Sequence, residues 1–259
     1  MQTIPSELKP ALADFLLAIA DDKLILGHRN SDWTGLGPIL EEDIAFSSLA
    51  QDNIAHASAL YEFVSSLIGK NAHQIAFGRD VHAFRSAAIL EGPDDFNYAT
   101  ALARQLFYAH FEVLRLGRVA ASVHPPLAAL AKRLAKEQGV QVEHVDGWIA
   151  RLGQGSDEAQ QRLQVALTQL AREAPMLFEM TADQQSLQDA GLIGGCGPEL
   201  FEEWVARVQA VTTPAGLTVR LQPPSATDEG GRHGVHSAHL QPLLEEMTEV
   251  FRIEPEAAW

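Results

Sequence analysis

Apolar residues recur every three to four positions along most of the chain, and this spacing predicts long amphipathic helices. Four are predicted, at about residues 5–26, 39–68, 96–122 and 125–152. Glycine and proline divide them: residues 27–38 predict a loop, Gly69 ends the second helix, and Pro125 begins the fourth. Residues 69–95 are expected to be irregular, and their sequence indicates no function.

Three shorter helices are predicted beyond residue 155, at about 156–180, 198–211 and 237–251. Pro175 is expected to kink the first of them near its end. Glycines and prolines predict loops at 191–197 and 212–235, with a short strand at 217–221 as the one strand-like pattern. The sequence therefore predicts an all-α fold, a ferritin-like helical bundle with additional C-terminal helices, as a single ferritin-like domain over residues 1–259.

Polar residues interrupt the apolar stripes of the four long helices. A four-helix di-iron site takes one carboxylate from each of two helices and a Glu-x-x-His pair from each of the other two. The chain has the same order of positions with amides in place of two glutamates: Asp22, Asn53, His56, Glu112, Gln141 and His144. Asparagine and glutamine can form hydrogen bonds but carry no charge. The six positions therefore predict a degenerate metal site without its bridging carboxylates.

Two interpretations of these six positions stay open. In the first, Asp22 and Glu112 contact the histidines, and the amides complete a buried polar network without metal. In the second, Asp22, His56, Glu112 and His144 hold a single metal ion in a stand-alone ferritin-like metalloprotein, an oxidase or a hydrolase. The network is favoured, because an unpaired buried charge is costly and the hydrogen bonds of a network compensate that cost.

Two further candidates lie near the C-terminus. His233, His236 and His239 stand at three-residue intervals, a spacing that a metal clip could use, although loop and helix-start residues that make caps and contacts are the favoured interpretation. Cys196 could act as a nucleophile, but a lone cysteine in a loop is more often incidental.

Charge and composition narrow the class of partner. The formal net charge is −15, from 34 acidic and 19 basic residues, which argues against nucleic-acid binding because that function needs a basic surface. The single cysteine is compatible with a reducing compartment. The N-terminal segment lacks the basic region of a signal peptide, and no apolar run is long enough to span a bilayer. A cytoplasmic protein without membrane contact is expected.

Four segments of the chain resemble the C subunits of phenylacetyl-CoA epoxidases, the multicomponent ring 1,2-monooxygenases of phenylacetate degradation. In chain order they are DDKLILGHRNSDW, LEEDIAFSSLAQDNIAHASALYEF, GWIARLGQGSDEA and GGRHGVHSAHLQPLLEEMTEVFR, and the last is the most distinctive. The resemblance implies a ferritin-like fold and a non-catalytic, structural role. It also implies a partner, the homologous A-type subunit, which carries the irons and performs the epoxidation.

The same resemblance implies no cofactor in this subunit, with iron in the partner, an acyl-CoA site near the subunit interface, and a separate reductase that supplies NADPH electrons. Self-association stays open as an additional mode. Besides the structural subunit and the stand-alone metalloprotein, a third hypothesis is a module that binds acyl-CoA or a partner helix without any redox role.

Overall fold

The computed structural model describes residues 4–224 and 230–255, and ten α-helices lie within them. In chain order they are α1 Lys9–Ser31, α2 Leu40–Ile68, α3 Ala72–Phe77, α4 Tyr98–Ala120, α5 Pro125–Gly153, α6 Asp157–Leu170, α7 Gln184–Asp189, α8 Pro198–Thr212, α9 Leu240–Met247 and α10 Glu249–Ile253. The described residues contain no strand, so the strand at 217–221 is wrong. The all-α fold is confirmed, and its helices are consistent with a ferritin-like bundle.

The chain divides into two compact units. The α1–α2 unit comprises residues 5–96, 180–184 and 230–255 of the described chain, and the α4–α5 unit comprises Ile4 with residues 97–179 and 185–224. That residues 1–259 form a single ferritin-like domain stays a prediction.

In the α1–α2 unit, the two long helices pack against each other along their length. The predicted stripe of α2 is buried from Phe46 to Val64. Helix α1 continues past Gly27 to Ser31, so the loop predicted from residue 27 begins too early. Helix α2 lies close to α1 here: a Cβ on Gly27 would lie 2.9 Å from Ile54 Cγ1 and 3.2 Å from the Ala50 carbonyl oxygen. Glycine at this position therefore serves helix packing and not a turn.

In the α4–α5 unit, α4 is buried on almost all sides, and α5, α6 and α8 pack on it. Trp204 of α8 is fully buried, and its indole N–H donates to the Phe107 carbonyl oxygen at 2.9 Å. The Phe178 ring lies 4.8 Å from Phe111 and 5.1 Å from Trp204, centroid to centroid. An aromatic cluster thus joins α4 to α8.

Several element boundaries differ from the predictions. The helix predicted to reach residue 180 ends at Leu170, and a 3-10 turn with Pro175 at its start follows at Ala174–Phe178. The segment 69–95 contains α3 and two short 3-10 turns, and α7 was not predicted. The last predicted helix is interrupted at Thr248, between α9 and α10. Of the predicted loop 212–235, residues 225–229 lie outside the described chain.

Candidate functional site

The six predicted positions divide between the two units: Asp22, Asn53 and His56 belong to the α1–α2 unit, and Glu112, Gln141 and His144 belong to the α4–α5 unit. The carboxylate of Asp22 is fully buried and forms an ion pair with Arg232, which is also buried. Two parallel hydrogen bonds of 2.7 Å join the guanidinium to the two carboxylate oxygens. The backbone N–H of Ala87 donates a third hydrogen bond to Asp22 at 2.9 Å. Asp22 is therefore a buried anion whose charge an arginine balances.

Arg232 reaches Asp22 from the far end of the sequence, 210 positions away. Its guanidinium also donates to the carbonyl oxygens of Ala18, at 3.1 Å, and of Arg85. The side chain therefore ties together three segments of the chain: α1, the loop before residue 90 and the segment 230–237. The planar guanidinium directs its N–H donors at several surrounding oxygen acceptors, so its burial here does not strand these donors without partners.

The segment 230–237 packs on the loop that follows α3. A Cβ on Gly231 would collide with the carbonyl oxygen of Ser86, and Gly234 has φ +79° beside the carbonyl of His82. Only glycine meets both conditions without strain. His82 Nδ1 lies 3.1 Å from the Gly234 carbonyl oxygen, which fixes the same contact. The distinctive C-terminal motif is thus a packing motif of the α1–α2 unit.

Glu91 anchors the other end of this segment. Its fully buried carboxylate accepts hydrogen bonds from the Ser237 backbone N–H at 2.8 Å and from the Ser86 hydroxyl at 3.0 Å, and it lies 2.7 Å from His236 Nδ1. Burial alone would raise the pKa of Glu91, but the hydrogen bonds from His236 and Ser237 outweigh it and hold the pKa below 4.5. His236 therefore contacts Glu91, a residue 145 positions away along the chain.

A third buried carboxylate, Asp21, is also surrounded by hydrogen-bond donors. It accepts from the Tyr61 hydroxyl at 2.6 Å, from the Arg79 guanidinium at 3.0 and 2.5 Å, and from the Arg85 backbone N–H at 2.7 Å. Burial raises the pKa of Tyr61 well above 10.0, and the Asp21 charge raises it further, so the hydroxyl stays a donor. This network joins α1 to α2 and to the loop after α3.

The amide and imidazole of α2 occupy its buried stripe, as predicted. Asn53 is fully buried, and its side-chain amide donates to the carbonyl oxygen of Leu49 at 2.9 Å, one turn earlier in the same helix. His56 is buried on the next turn. The Asn53 amide can donate to this carbonyl oxygen because it has N–H groups. An ionised carboxylate at position 53 has only acceptors and could not form this hydrogen bond.

In the α4–α5 unit, Glu112 is fully buried, and its partner is again an arginine. Arg115, one turn further along α4, approaches the Oε2 oxygen of Glu112 with Nε at 2.7 Å and a terminal nitrogen at 2.5 Å. The same guanidinium lies over the Phe111 ring, 4.7 Å from its centroid. Arg115 is thereby held between an anion and an aromatic face.

The two predicted positions on α5 differ in burial. Gln141 is buried, and its side-chain oxygen accepts from the amide of Gln138 at 3.2 Å. Gln138, Val145 and Ile149 are buried, whereas His144 is half-buried. The predicted position His144 is therefore off the centre of this face, because three- and four-residue spacings along a helix lead to two neighbouring faces.

The sequence interpretation missed the buried cations. Lys23, Arg115 and Arg232 are all buried, and two of them form ion pairs with predicted site carboxylates. Arg115 could have been recognised from its spacing of three residues after Glu112 on a helix. Arg232 gave no such signal, since it lies in a glycine-rich segment far from Asp22. Within residues 4–224 and 230–255, no group of three or more His, Cys, Asp or Glu side chains is arranged to hold a metal ion.

Comparisons with known proteins place the whole chain in one family. The model of the phenylacetic acid catabolic protein family matches residues 1–259. The chain belongs to this family. The C subunit of 1,2-phenylacetyl-CoA epoxidase from Escherichia coli (strain K12) is 31% identical over 250 residues, which cover 96% of this chain and 99% of that protein. The resemblance to C subunits is thereby confirmed, and membership supports a role in phenylacetate catabolism.

Among the helices that the structure describes in this family member, none is long and apolar enough to cross a membrane.

Proposed function

We propose that this chain is the non-catalytic, structural subunit of a phenylacetyl-CoA epoxidase complex in the cytoplasm. Its role there is to support a homologous A-type subunit that carries the irons, together with that subunit's acyl-CoA site. Family membership and the likeness to the C subunit of an epoxidase support the pathway and the multi-subunit setting. The finer assignment, a scaffold without its own metal, is supported by the contacts of Asp22 and Glu112.

The observation that carries the proposal is that Asp22 and Glu112 each form a buried ion pair with an arginine. Two ferrous ions carry four positive charges and require anionic oxygen ligands, two of which must bridge them. At the six predicted positions the chain offers two carboxylates and two amides. Asp22 would have to release a guanidinium that holds both of its oxygens before it could bind a metal, and Glu112 already shares its Oε2 oxygen with Arg115. This donor set fits a di-iron centre poorly.

The arginines supply what a metal would otherwise supply to the fold. A buried carboxylate without a counter-charge is strongly destabilising, and a fixed guanidinium removes that cost without any redox chemistry. A subunit built in this way keeps its helices in place whether or not iron is available. That property suits a component whose function is to hold a catalytic partner.

The test is elemental analysis of the protein purified alone from iron-supplemented medium, joined to an assay of NADPH-dependent turnover of phenylacetyl-CoA. We expect well below one equivalent of metal and no turnover alone, with turnover when the A-type subunit and the reductase are added. Two equivalents of iron, or turnover by this chain with the reductase alone, would overturn the proposal.

The stand-alone metalloprotein predicts a different result, in which metal is retained and depends on His56. His56→Ala would then remove the metal, whereas His239→Ala, a change at an exposed histidine, would not. Unchanged, low metal content in both variants supports the structural subunit.

A further inference from the structure

An apolar surface lies at the start of α2 and in the loop before it. Leu36, Ile39, Leu40 and Ile44 are 57%, 43%, 69% and 60% exposed, and Phe96 is 70% exposed. We call these five residues the apolar patch. Residues 35–40 read Gly-Leu-Gly-Pro-Ile-Leu and contain no charged residue. Single exposed apolar side chains are common on proteins, but a contiguous group of large ones marks an interaction surface.

The apolar patch is built on a buried tryptophan. Trp33 is 3% exposed, and its ring contacts Phe46, at 5.8 Å between centroids, and Phe96, at 6.4 Å. Its indole N–H donates to Asp94 at 3.1 Å. The backbone N–H of Leu36 donates to the Trp33 carbonyl oxygen at 3.0 Å, which folds the loop back onto the same residue. Trp33 thus links the loop 34–39 to the segment 94–96.

Further hydrogen bonds fix the loop onto α2. The Gly37 N–H donates to the Asp43 carboxylate at 2.5 Å, and the Thr34 and Ser47 hydroxyls lie 2.9 Å apart. The patch is therefore preorganised. A surface already held in one conformation loses less entropy when a partner binds, so it is better suited to recognition than a mobile loop of the same composition.

The backbone at Phe96 is an independent sign of function. Asp95 and Phe96 have φ +49° and +53°, in the left-handed region that bulky residues rarely adopt. The result is a phenylalanine ring that stays mostly exposed beside Trp33. Folding alone gives no gain from a strained backbone that holds an aromatic ring in water, and such outliers concentrate where proteins bind.

Charge selects the class of partner. Three exposed acidic residues, Asp32, Glu41 and Asp95, lie within a few positions of the patch residues along the chain. A second copy of this chain would bring the same acidic rim and the same net charge of −15. Like charges at an interface rim slow association and disfavour that pairing. A partner with an apolar centre and a basic rim fits this surface.

We infer that the apolar patch is the docking surface for the A-type subunit of the complex, whose matching surface is apolar with a basic rim. The inference rests on the proposed function, which supplies the multi-subunit setting. It adds the place on this chain at which that partner binds.

The test uses the full chain and the A-type subunit of the same complex as the probe. The double variant Leu40→Arg with Ile44→Arg places two cations in the centre of the patch. There they face the apolar centre of the partner's surface and lie inside its basic rim. Val140→Arg with Val165→Arg, at two exposed valines of α5 and α6, is the matched control. Thermal unfolding checks that both double variants fold. Their melting temperatures should be close to that of wild type, because substitutions at exposed positions have small effects on stability.

We expect the Kd for the A-type subunit to rise by about 100-fold or more in the patch variant and to stay within about threefold in the control. Wild-type binding should weaken as salt is raised. Hydrogen exchange of the wild-type complex should show new protection at residues 34–44 and 94–96.

Three other results overturn the inference and have different meanings. Equal binding by wild type and the patch variant places the interface elsewhere and leaves the proposed function intact. No binding of the A-type subunit by wild type removes the proposed function as well. A wild-type homodimer that the patch variant abolishes, seen by light scattering, assigns the patch to a second copy of this chain.

Discussion

Removal of the Arg232 guanidinium should destabilise the α1–α2 unit more than removal of any exposed arginine. In Arg232→Met, a side chain of similar length replaces the cation and leaves the Asp22 carboxylate fully buried without that partner. The substitution also removes the donors to the carbonyl oxygens of Ala18 and Arg85. The loss therefore combines an uncompensated charge with unsatisfied acceptors.

The magnitude follows from the burial of the pair. Breaking a buried ion pair by removing one member costs about 3–5 kcal/mol, whereas an exposed pair contributes about 0–1 kcal/mol. Arg162 and Glu158 form such an exposed pair, at 2.7 Å on one face of α6. Arg162→Met is the matched control, with the same substitution and nearly the same ion-pair distance.

The assay is urea unfolding, because urea does not screen the ion pair as guanidinium chloride would. Amide hydrogen exchange of residues 18–26 and 230–237, read by mass spectrometry, locates the effect in the segments that Arg232 joins. We expect faster exchange in both segments for Arg232→Met and unchanged exchange there for Arg162→Met.

A double-mutant cycle with Asp22→Asn separates the ion pair from general damage. The double variant Asp22→Asn with Arg232→Met should lose less free energy of unfolding than the two single variants lose in sum, by about 1–3 kcal/mol. The reason is that the double variant has no unpaired buried charge. Additive losses, or equal losses in Arg232→Met and Arg162→Met, would show that Arg232 does not balance the charge of Asp22 and would remove the main support of the proposed function.

Two further predictions concern the same unit. Because hydrogen bonds hold the pKa of Glu91 below 4.5 in the folded protein, its contribution to stability is present at neutral pH and is lost as pH falls from about 4.5 through the folded pKa. Glu91→Gln should therefore have a free energy of unfolding at pH 7 that is lower than that of wild type by about 1.5–3 kcal/mol. Its stability should also fall less than that of wild type as the pH is lowered. Melting temperatures that fall in parallel for the two proteins from pH 7 to pH 3 would contradict this. Gly27→Ala should cost about 1–3 kcal/mol through overpacking against Ile54, whereas Gly139→Ala, where a Cβ meets open space, should be neutral or stabilising in the same melts.

The helices could be predicted wherever local chemistry sets their limits. Helix α2 ends at Ile68 with Gly69 as its cap, and α5 begins at Pro125, as expected, because a glycine cap and an N-terminal proline are local signals. Gly27 was misread for the opposite reason. Its glycine serves the close approach of α2, a tertiary contact that the local sequence does not record.

The candidate site could likewise be predicted only in part. The burial of Asp22, Asn53 and Glu112 followed from the stripes on which they lie. The identity of their partners did not follow, because a helical pattern tells which side chains face inward and not which distant segment meets them. Arg232 is the clearest case: its glycine-rich surroundings predicted a loop, and only the folded chain places it on Asp22.

The arginine pairs explain how acidic residues can lie on the buried stripes of a chain that has amides at positions 53 and 141. Without a counter-charge, Asp22 and Glu112 would be unbalanced buried anions, and neutral side chains would be more stable at these positions. Arg115 balances Glu112 from within the same helix, so the α4–α5 unit needs no distant segment for this purpose. Arg232 balances Asp22 from the segment 230–237, which is held in place by Gly231, Gly234 and Glu91. Each unit therefore carries its own counter-charge, and the C-terminal motif is the means by which the α1–α2 unit obtains one.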